Sequence, residues 1–238
     1  MEQRILSTEP LKHLFDTVNS SLAASIQPAP EPTSFRVLSD AERDRSMHEC
    51  LTHWNPGQDV WVYGYGSLIW RPEFDYLEQR QALLRGYHRS LCLWSRINRG
   101  TPEQPGLVFG LDAGGSCRGM AFRIAGHQVP DVFDALWRRE MPSGAYTPRW
   151  LPCRTNTGNI QALTFVMNRN TDAYVPRMPL EQLIDVINAA HGINGPCIEY
   201  VLETAEALKR SEIQDKRLQS LVDALESRSI GSFPLCAV

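Results

Sequence analysis

Val60-Trp61-Val62-Tyr63-Gly64-Tyr65-Gly66-Ser67-Leu68-Ile69-Trp70 joins a short apolar run to a loop spaced by glycines. Val60 to Tyr63 is β-branched and aromatic and predicts a strand. Gly64 and Gly66 follow it directly, where they allow φ > 0 and a close approach to the main chain. Working outward, short β-rich runs separated by turn residues extend from Asp59 to about Met167. Gly86 to Trp94 and Leu163 to Met167 read as strands. Leu107-Val108-Phe109-Gly110-Leu111 is expected to pair with Gly119-Met120-Ala121-Phe122-Arg123-Ile124 through a turn at Ala113-Gly114-Gly115-Ser116. One helix interrupts the region, from near Asp131 to Met141, just before Pro142. After it the spacing turns helical, with stripes at Leu180 to Ile187, Ile198 to Leu208 and Leu218 to Leu225. Strands followed by helices predict an α+β fold.

On the other side of the opening stretch, residues 1–58 differ in character. Leu11, Leu14, Phe15, Val18 and Leu22 recur at helical spacing, and Gln27-Pro28-Ala29-Pro30-Glu31-Pro32 reads as a stiff linker. A second short helix is expected to start at Ser39, with Glu42 in the reciprocal capping position, and to end before Asn55-Pro56-Gly57. The domain division read from this is an N-terminal helical extension with a Pro-rich linker over 1–58 and a second domain over 59–238. The arm is expected to be dispensable for chemistry.

Composition narrows the function classes. Lys plus Arg number 24 against 27 Asp plus Glu, a net charge of −3, so no excess of cations is available to neutralise phosphates and nucleic acid is an unsuitable partner. Hydrophobic residues at 42% with charged residues at 21% fit a folded globular chain rather than a disordered one. No stretch approaches the ~18 apolar residues of a membrane span. Cys50, Cys92, Cys117, Cys153, Cys197 and Cys236 are scattered singly, with neither a C-x-x-C pair nor zinc-ligand spacing. Reduced thiols in the cytoplasm are expected, with no membrane association.

Two features carry possible chemistry. Successive N–H groups around Gly64 and Gly66 could form a concave site for a carboxylate, or the glycines could serve a tight turn that only packs. The loop is no dinucleotide fingerprint, since Ile69 stands where a glycine would be needed, and no P-loop, since Gly-Lys-Ser/Thr is missing. In the helix before Pro142, Val132, Leu136 and Glu140 share one stripe beside Phe133, Trp137 and Met141, so a carboxyl occupies an apolar face. Desolvation there would raise its pKa toward the range of a general acid or base, while an ion pair with Arg138 or Arg139 would relieve it. His48 and His53 near Glu49 match no metal motif, Ser67 lacks the context of a nucleophile elbow, and Cys117 beside Arg118 is a weak thiol candidate.

The opening stretch also resembles the signature of the ChaC-type γ-glutamylcyclotransferases. The likeness continues through Arg85-Gly86-Tyr87, Leu91-Cys92-Leu93-Trp94-Ser95, Arg99-Gly100-Thr101-Pro102, Pro105-Gly106-Leu107-Val108, Gly114-Gly115-Ser116-Cys117 and Leu136-Trp137-Arg138-Arg139-Glu140-Met141. It spans roughly Asp59 to Leu225, including Ile198-Glu199-Tyr200-Val201-Leu202. The resemblance implies a small mixed β-barrel flanked by helices and a cytosolic enzyme that cleaves glutathione into 5-oxoproline and cysteinylglycine without metal or organic cofactor. It implies Glu140 as general base and acid, and Gly64, Tyr65, Gly66, Ser67, Leu68 and Ile69 as the substrate-binding loop. Tyr65, Tyr146 and Tyr200 are polar-tipped aromatics that could close the pocket around the glutamyl group, and of these only Tyr65 is assigned to the site. Alternatives are a cyclotransferase for other γ-glutamyl compounds, or a non-catalytic regulator of cation transport.

Overall fold

The computed structural model describes residues 36–231. The helix expected around Leu11 to Leu22 and the Pro-rich linker lie outside these residues, as does Cys236. Helix α1 (Asp40–Leu51) begins with the expected capping box: Ser39 Oγ accepts the Glu42 N–H, and Glu42 Oε2 accepts the Ser39 N–H at 2.9 Å. Strand β1 (Val60–Gly64) follows, then a 3₁₀ turn over Ser67–Ile69, β2 (Glu78–Ser95), β3 (Gly106–Ile124), α2 (Val129–Glu140), β4 (Tyr146–Thr155) and β5 (Gly158–Met167). The chain closes with α3 (Leu180–Ala189), the short pair β6 (His191–Gly192) and β7 (Gly195–Pro196), α4 (Cys197–Arg210) and α5 (Lys216–Gly231).

Strands β1 to β5 form a closed mixed barrel in the order β1-β3-β2-β4-β5, sealed by the parallel pairing of β5 with β1. The α+β class and the mixed barrel are both present. The route differs from the expected hairpin, because Leu107–Leu111 and Gly119–Ile124 belong to one strand of 19 residues. That strand pairs along the 18 residues of β2, with a register shift between Arg85 and Tyr87. Gly86, Gly114 and Gly115 all have positive φ there, so the Gly-Gly pair bends a long ribbon at a bulge instead of reversing the chain. Strand β2 begins eight residues before the predicted Gly86, in Glu78-Gln79-Arg80-Gln81, whose alternating exposure explains its polar composition. Strand β4 has no counterpart in the sequence reading, since Pro148 and Pro152 argue against a strand. Along 146–152 it pairs with β5 alone, and a proline nitrogen is tolerated at such an open edge.

Helix α2 buries Val132, Phe133, Leu136 and Trp137, with Pro130 in its first turn. It ends where Met141 donates to Trp137 O and Pro142 can no longer continue the ladder. Helix α1 covers its outer side, as Trp137 Nε1 donates to Ser46 Oγ at 3.2 Å and Trp150 Nε1 to Cys50 O at 2.9 Å. Helix α4 presents Cys197, Tyr200, Val201, Thr204, Ala207 and Leu208 to the core, while Glu203, Glu206, Lys209 and Arg210 are exposed. No helix of the described residues is long and apolar enough to cross a membrane.

Candidate active site

Beyond the end of β1, the chain turns at Gly66 into the 3₁₀ segment and opens a cavity of about 510 Å³. Tyr65, Gly66, Ser67 and Leu68 line it, whereas Gly64 and Ile69 lie outside its lining. Neither glycine has the positive φ the sequence suggested; each instead leaves room for a side chain. A Cβ on Gly64 would stand 3.0 Å from Leu68 Cβ, and one on Gly66 would stand 3.1 Å from the Tyr200 hydroxyl. The Ile69 N–H is spent on Gly66 O at 3.0 Å. The Ser67 and Leu68 N–H groups open the turn and have no hydrogen-bond partner among the described residues, which leaves two donors beside the cavity.

Glu140, the last residue of α2, stands on the wall of the same cavity with its side chain 14% exposed. Burial raises its pKa above the ordinary carboxyl value of 4.5; Arg139 pulls it down, and Glu73 pushes it up. The ion pair considered from the sequence is therefore present, with Arg139 Nε 3.2 Å from Glu140 Oε1, and desolvation outweighs it. Arg139 also donates to Ser67 Oγ at 3.0 Å, to Glu73 Oε2 at 2.8 Å and to Arg71 O at 2.7 Å. One guanidinium thus links the glycine loop to the carboxyl.

Several cavity residues were not assigned to the site from the sequence. Glu73 adopts a left-handed φ of 59°, held by Arg71 Nε at 2.6 Å and by Arg139. Nothing in Arg71-Pro72-Glu73-Phe74 signals this. Tyr146 and Tyr200 both line the cavity, and burial raises the pKa of both, as it does for Tyr65. The signal that could have found Tyr200 is its place on the buried stripe of α4, where a phenol must meet a hydrogen-bond partner. Behind the loop, Arg89 is 2% exposed in its side chain and donates to Tyr65 O at 2.5 Å, to Arg118 O at 2.6 Å and to Asp215.

The other sequence candidates fall elsewhere. Cys117 lies in β3 away from the cavity, and burial raises its thiol pKa despite the nearby Arg89. His48 and His53 belong to α1 and the turn after it. Among the described residues no three His, Cys, Asp or Glu side chains are grouped to hold a metal ion, and the five described cysteines are free thiols.

The profile of the ChaC-like protein family matches residues 60–228. The glutathione-specific γ-glutamylcyclotransferase of Escherichia coli is 31% identical over 176 residues, covering 74% of this chain and 76% of its own. The human glutathione-specific γ-glutamylcyclotransferase 1 is 32% identical over 175 residues, covering 71% of this chain and 79% of its own. In fold, the chain resembles the crystal structure of a yeast γ-glutamyl cyclotransferase specific to glutathione, with a TM-score of 0.66 at 21% identity over 71% of this chain and 96% of that one. With a profile match across most of its length and relatives above 30% identity along both chains, the protein belongs to the ChaC-like family.

Proposed function

We propose that this protein is a glutathione-specific γ-glutamylcyclotransferase, releasing 5-oxoproline and cysteinylglycine. The observation that carries the reading is a buried carboxyl with a raised pKa, joined through one arginine to the glycine loop on the wall of a single cavity. The printed names of the relatives support the same substrate.

The chemistry needs what these residues offer. The substrate's α-amine attacks its own γ-carbonyl carbon, so the nucleophile is intramolecular once the glutamyl chain is held bent. At neutral pH that amine is mostly ammonium. Glu140 takes a proton from it, and the freed lone pair forms the new C–N bond while the carbonyl π electrons move onto oxygen. When the carbonyl reforms, the bond to the cysteinyl nitrogen breaks as Glu140 protonates that nitrogen; Glu140 then takes the second proton from the ring nitrogen and passes it to the freed amine, leaving a neutral lactam and an ammonium. No water is consumed. A carboxyl whose pKa is raised by burial is suited to both transfers, because desolvation makes its ionised form a stronger base than a carboxylate in water.

The loop holds the substrate in this reading. The Ser67 and Leu68 N–H groups, with the Arg139-bound Ser67 hydroxyl, face the glutamyl α-carboxylate, and Tyr65 and Gly66 shape the wall beside them. Gly64 and Ile69 support the turn from behind. The catalytic domain is taken to begin near Asp59, and the free thiols suit a reducing compartment such as the cytoplasm. The reaction is assigned to the protein alone, without metal or organic cofactor.

The test is to incubate the purified, chelator-dialysed protein with reduced glutathione and follow both products by mass spectrometry. Both are expected with the wild type and neither with Glu140→Gln. Turnover by the variant would remove Glu140 from the mechanism. Product from γ-glutamylalanine but not from glutathione would replace the substrate.

A further inference from the structure

Three tyrosines from three elements, Tyr65 after β1, Tyr146 in β4 and Tyr200 in α4, place their phenols where each senses the charge of Glu140. Their protons are not equally available. Tyr65 donates to Phe165 O at 3.0 Å and Tyr146 to Phe109 O at 3.2 Å. Tyr200 does the reverse, accepting the Phe109 N–H at 3.1 Å. No acceptor for its own proton stands within hydrogen-bond distance among the described residues. A single residue of β3 therefore ties up one phenol as a donor and leaves another with its proton free.

That free donor is rigidly aimed. Tyr200 is 6% exposed, with the Phe109 ring 5.6 Å from its own and the Arg99 guanidinium 5.6 Å from its ring centre. Its oxygen lies so close to the loop that a Cβ on Gly66 would be 3.1 Å away. Accepting an amide hydrogen bond polarises the O–H and makes it a better donor. Burial keeps the phenol protonated at any pH where Glu140 titrates.

We propose that Tyr200 is a further catalytic residue, whose O–H donates to the γ-carbonyl oxygen as the attack of the α-amine turns that oxygen into an oxyanion. The inference rests on the cyclotransferase reading above. In the forward step the carbonyl π pair moves onto oxygen and the Tyr200 hydrogen bond strengthens without passing its proton. In the collapse the pair returns to carbon as the C–N bond to cysteine breaks. Glu140 handles every proton that moves; Tyr200 handles charge alone.

The experiment uses the full chain. Wild-type turnover of glutathione is measured first, and its absence would remove the reading on which the inference rests. With the wild type active, Tyr200→Phe is expected to lower kcat about 100-fold, the usual cost of one oxyanion donor, with KM within about threefold. Calorimetry of glutathione binding to Glu140→Gln with and without Tyr200→Phe is expected to give a Kd within the same factor. A kcat near wild type, or a loss carried by KM and Kd, would overturn the role of Tyr200. Should Tyr200→Phe fail to fold, site-specific difluorotyrosine at position 200 keeps both hydrogen bonds and acidifies the phenol. Its kcat is expected to change with ring acidity, and a kcat equal to wild type would overturn the proposal.

Discussion

Ionising Glu140 in the folded chain puts a negative charge on a wall where the side chain keeps 14% of its exposure. Its folded pKa is raised, so the contribution it makes to stability is complete below the ordinary carboxyl value of 4.5 and is lost as pH climbs through the raised value. Glu140→Gln has no such loss. The Tm of this variant relative to wild type is expected to rise from pH 4 to pH 8 in scanning calorimetry, while its turnover is absent; a gap that narrows with pH would mean that Arg139 outweighs desolvation. The groups that face the carboxyl are Arg139 on α2, Glu73 on the turn after the loop, and Tyr65, Tyr146 and Tyr200. Removing the like charge with Glu73→Gln is expected to move the acidic limb of the kcat/KM profile down in pH. Removing the cation with Arg139→Gln is expected to move it up. Loosened packing would not separate neighbouring variants in opposite directions, which makes the pH profile the deciding measurement.

At the scale of elements, α2 carries Glu140 at its end and is held on its outer side by α1. The Trp137 and Trp150 indoles both donate to α1, Leu38 packs into the core, and the Leu38 N–H donates to Pro142 O at 2.8 Å. A truncation starting at Gly57 would remove that cover together with the leading segment. Two indole N–H groups would lose their partners at about 1 kcal/mol each, besides the apolar surface exposed. The expected dispensability of the arm concerns chemistry; residues 36–56 add stability to the fold through these contacts. This truncation is expected to lower Tm and with it activity at elevated temperature, and an unchanged Tm would show that α1 adds nothing to the domain. The capping of α1 was legible because Ser39 and Glu42 lie within one turn. Its docking was not, because α1 buries no residue completely and has no strong apolar face to announce a partner.

At the scale of the whole molecule, Arg89 ties distant parts of the chain together. This one buried guanidinium joins the carbonyl of Tyr65 in the loop, the carbonyl of Arg118 in β3 and the carboxylate of Asp215, which also accepts the Leu218 N–H at 3.1 Å at the start of α5. The C-terminal helix is thereby fastened to the back of the site. Asp215→Ala would leave the buried cation without its carboxylate and α5 without its cap, for a cost of about 3 kcal/mol or more. Urea unfolding is expected to show this loss, and kcat is expected to fall as Tyr65 loses its fixed support. Asp215→Asn keeps the cap oxygen and is expected to recover part of the stability; full recovery would mean that the charge pair contributes nothing.

Local rules settled much of this protein before any fold was known. Helical spacing, a capping box and a proline stop involve residues a few positions apart, so the C-terminal helices, the start of α1 and the end of α2 could be read directly. The carboxyl on the apolar stripe and the glycine loop after the first strand were legible for the same reason. Tertiary structure alone decided that Gly114 and Gly115 bend a ribbon instead of turning a hairpin, because that depends on a partner strand beginning at Glu78. It also brought Glu73, Tyr146 and Tyr200 to Glu140 from a turn, a strand and a helix far apart in the chain. Whether a buried tyrosine gives its proton away or keeps it depends on which backbone group it meets. Phe109 offers its carbonyl to Tyr146 and its N–H to Tyr200, and no spacing in the sequence records that difference.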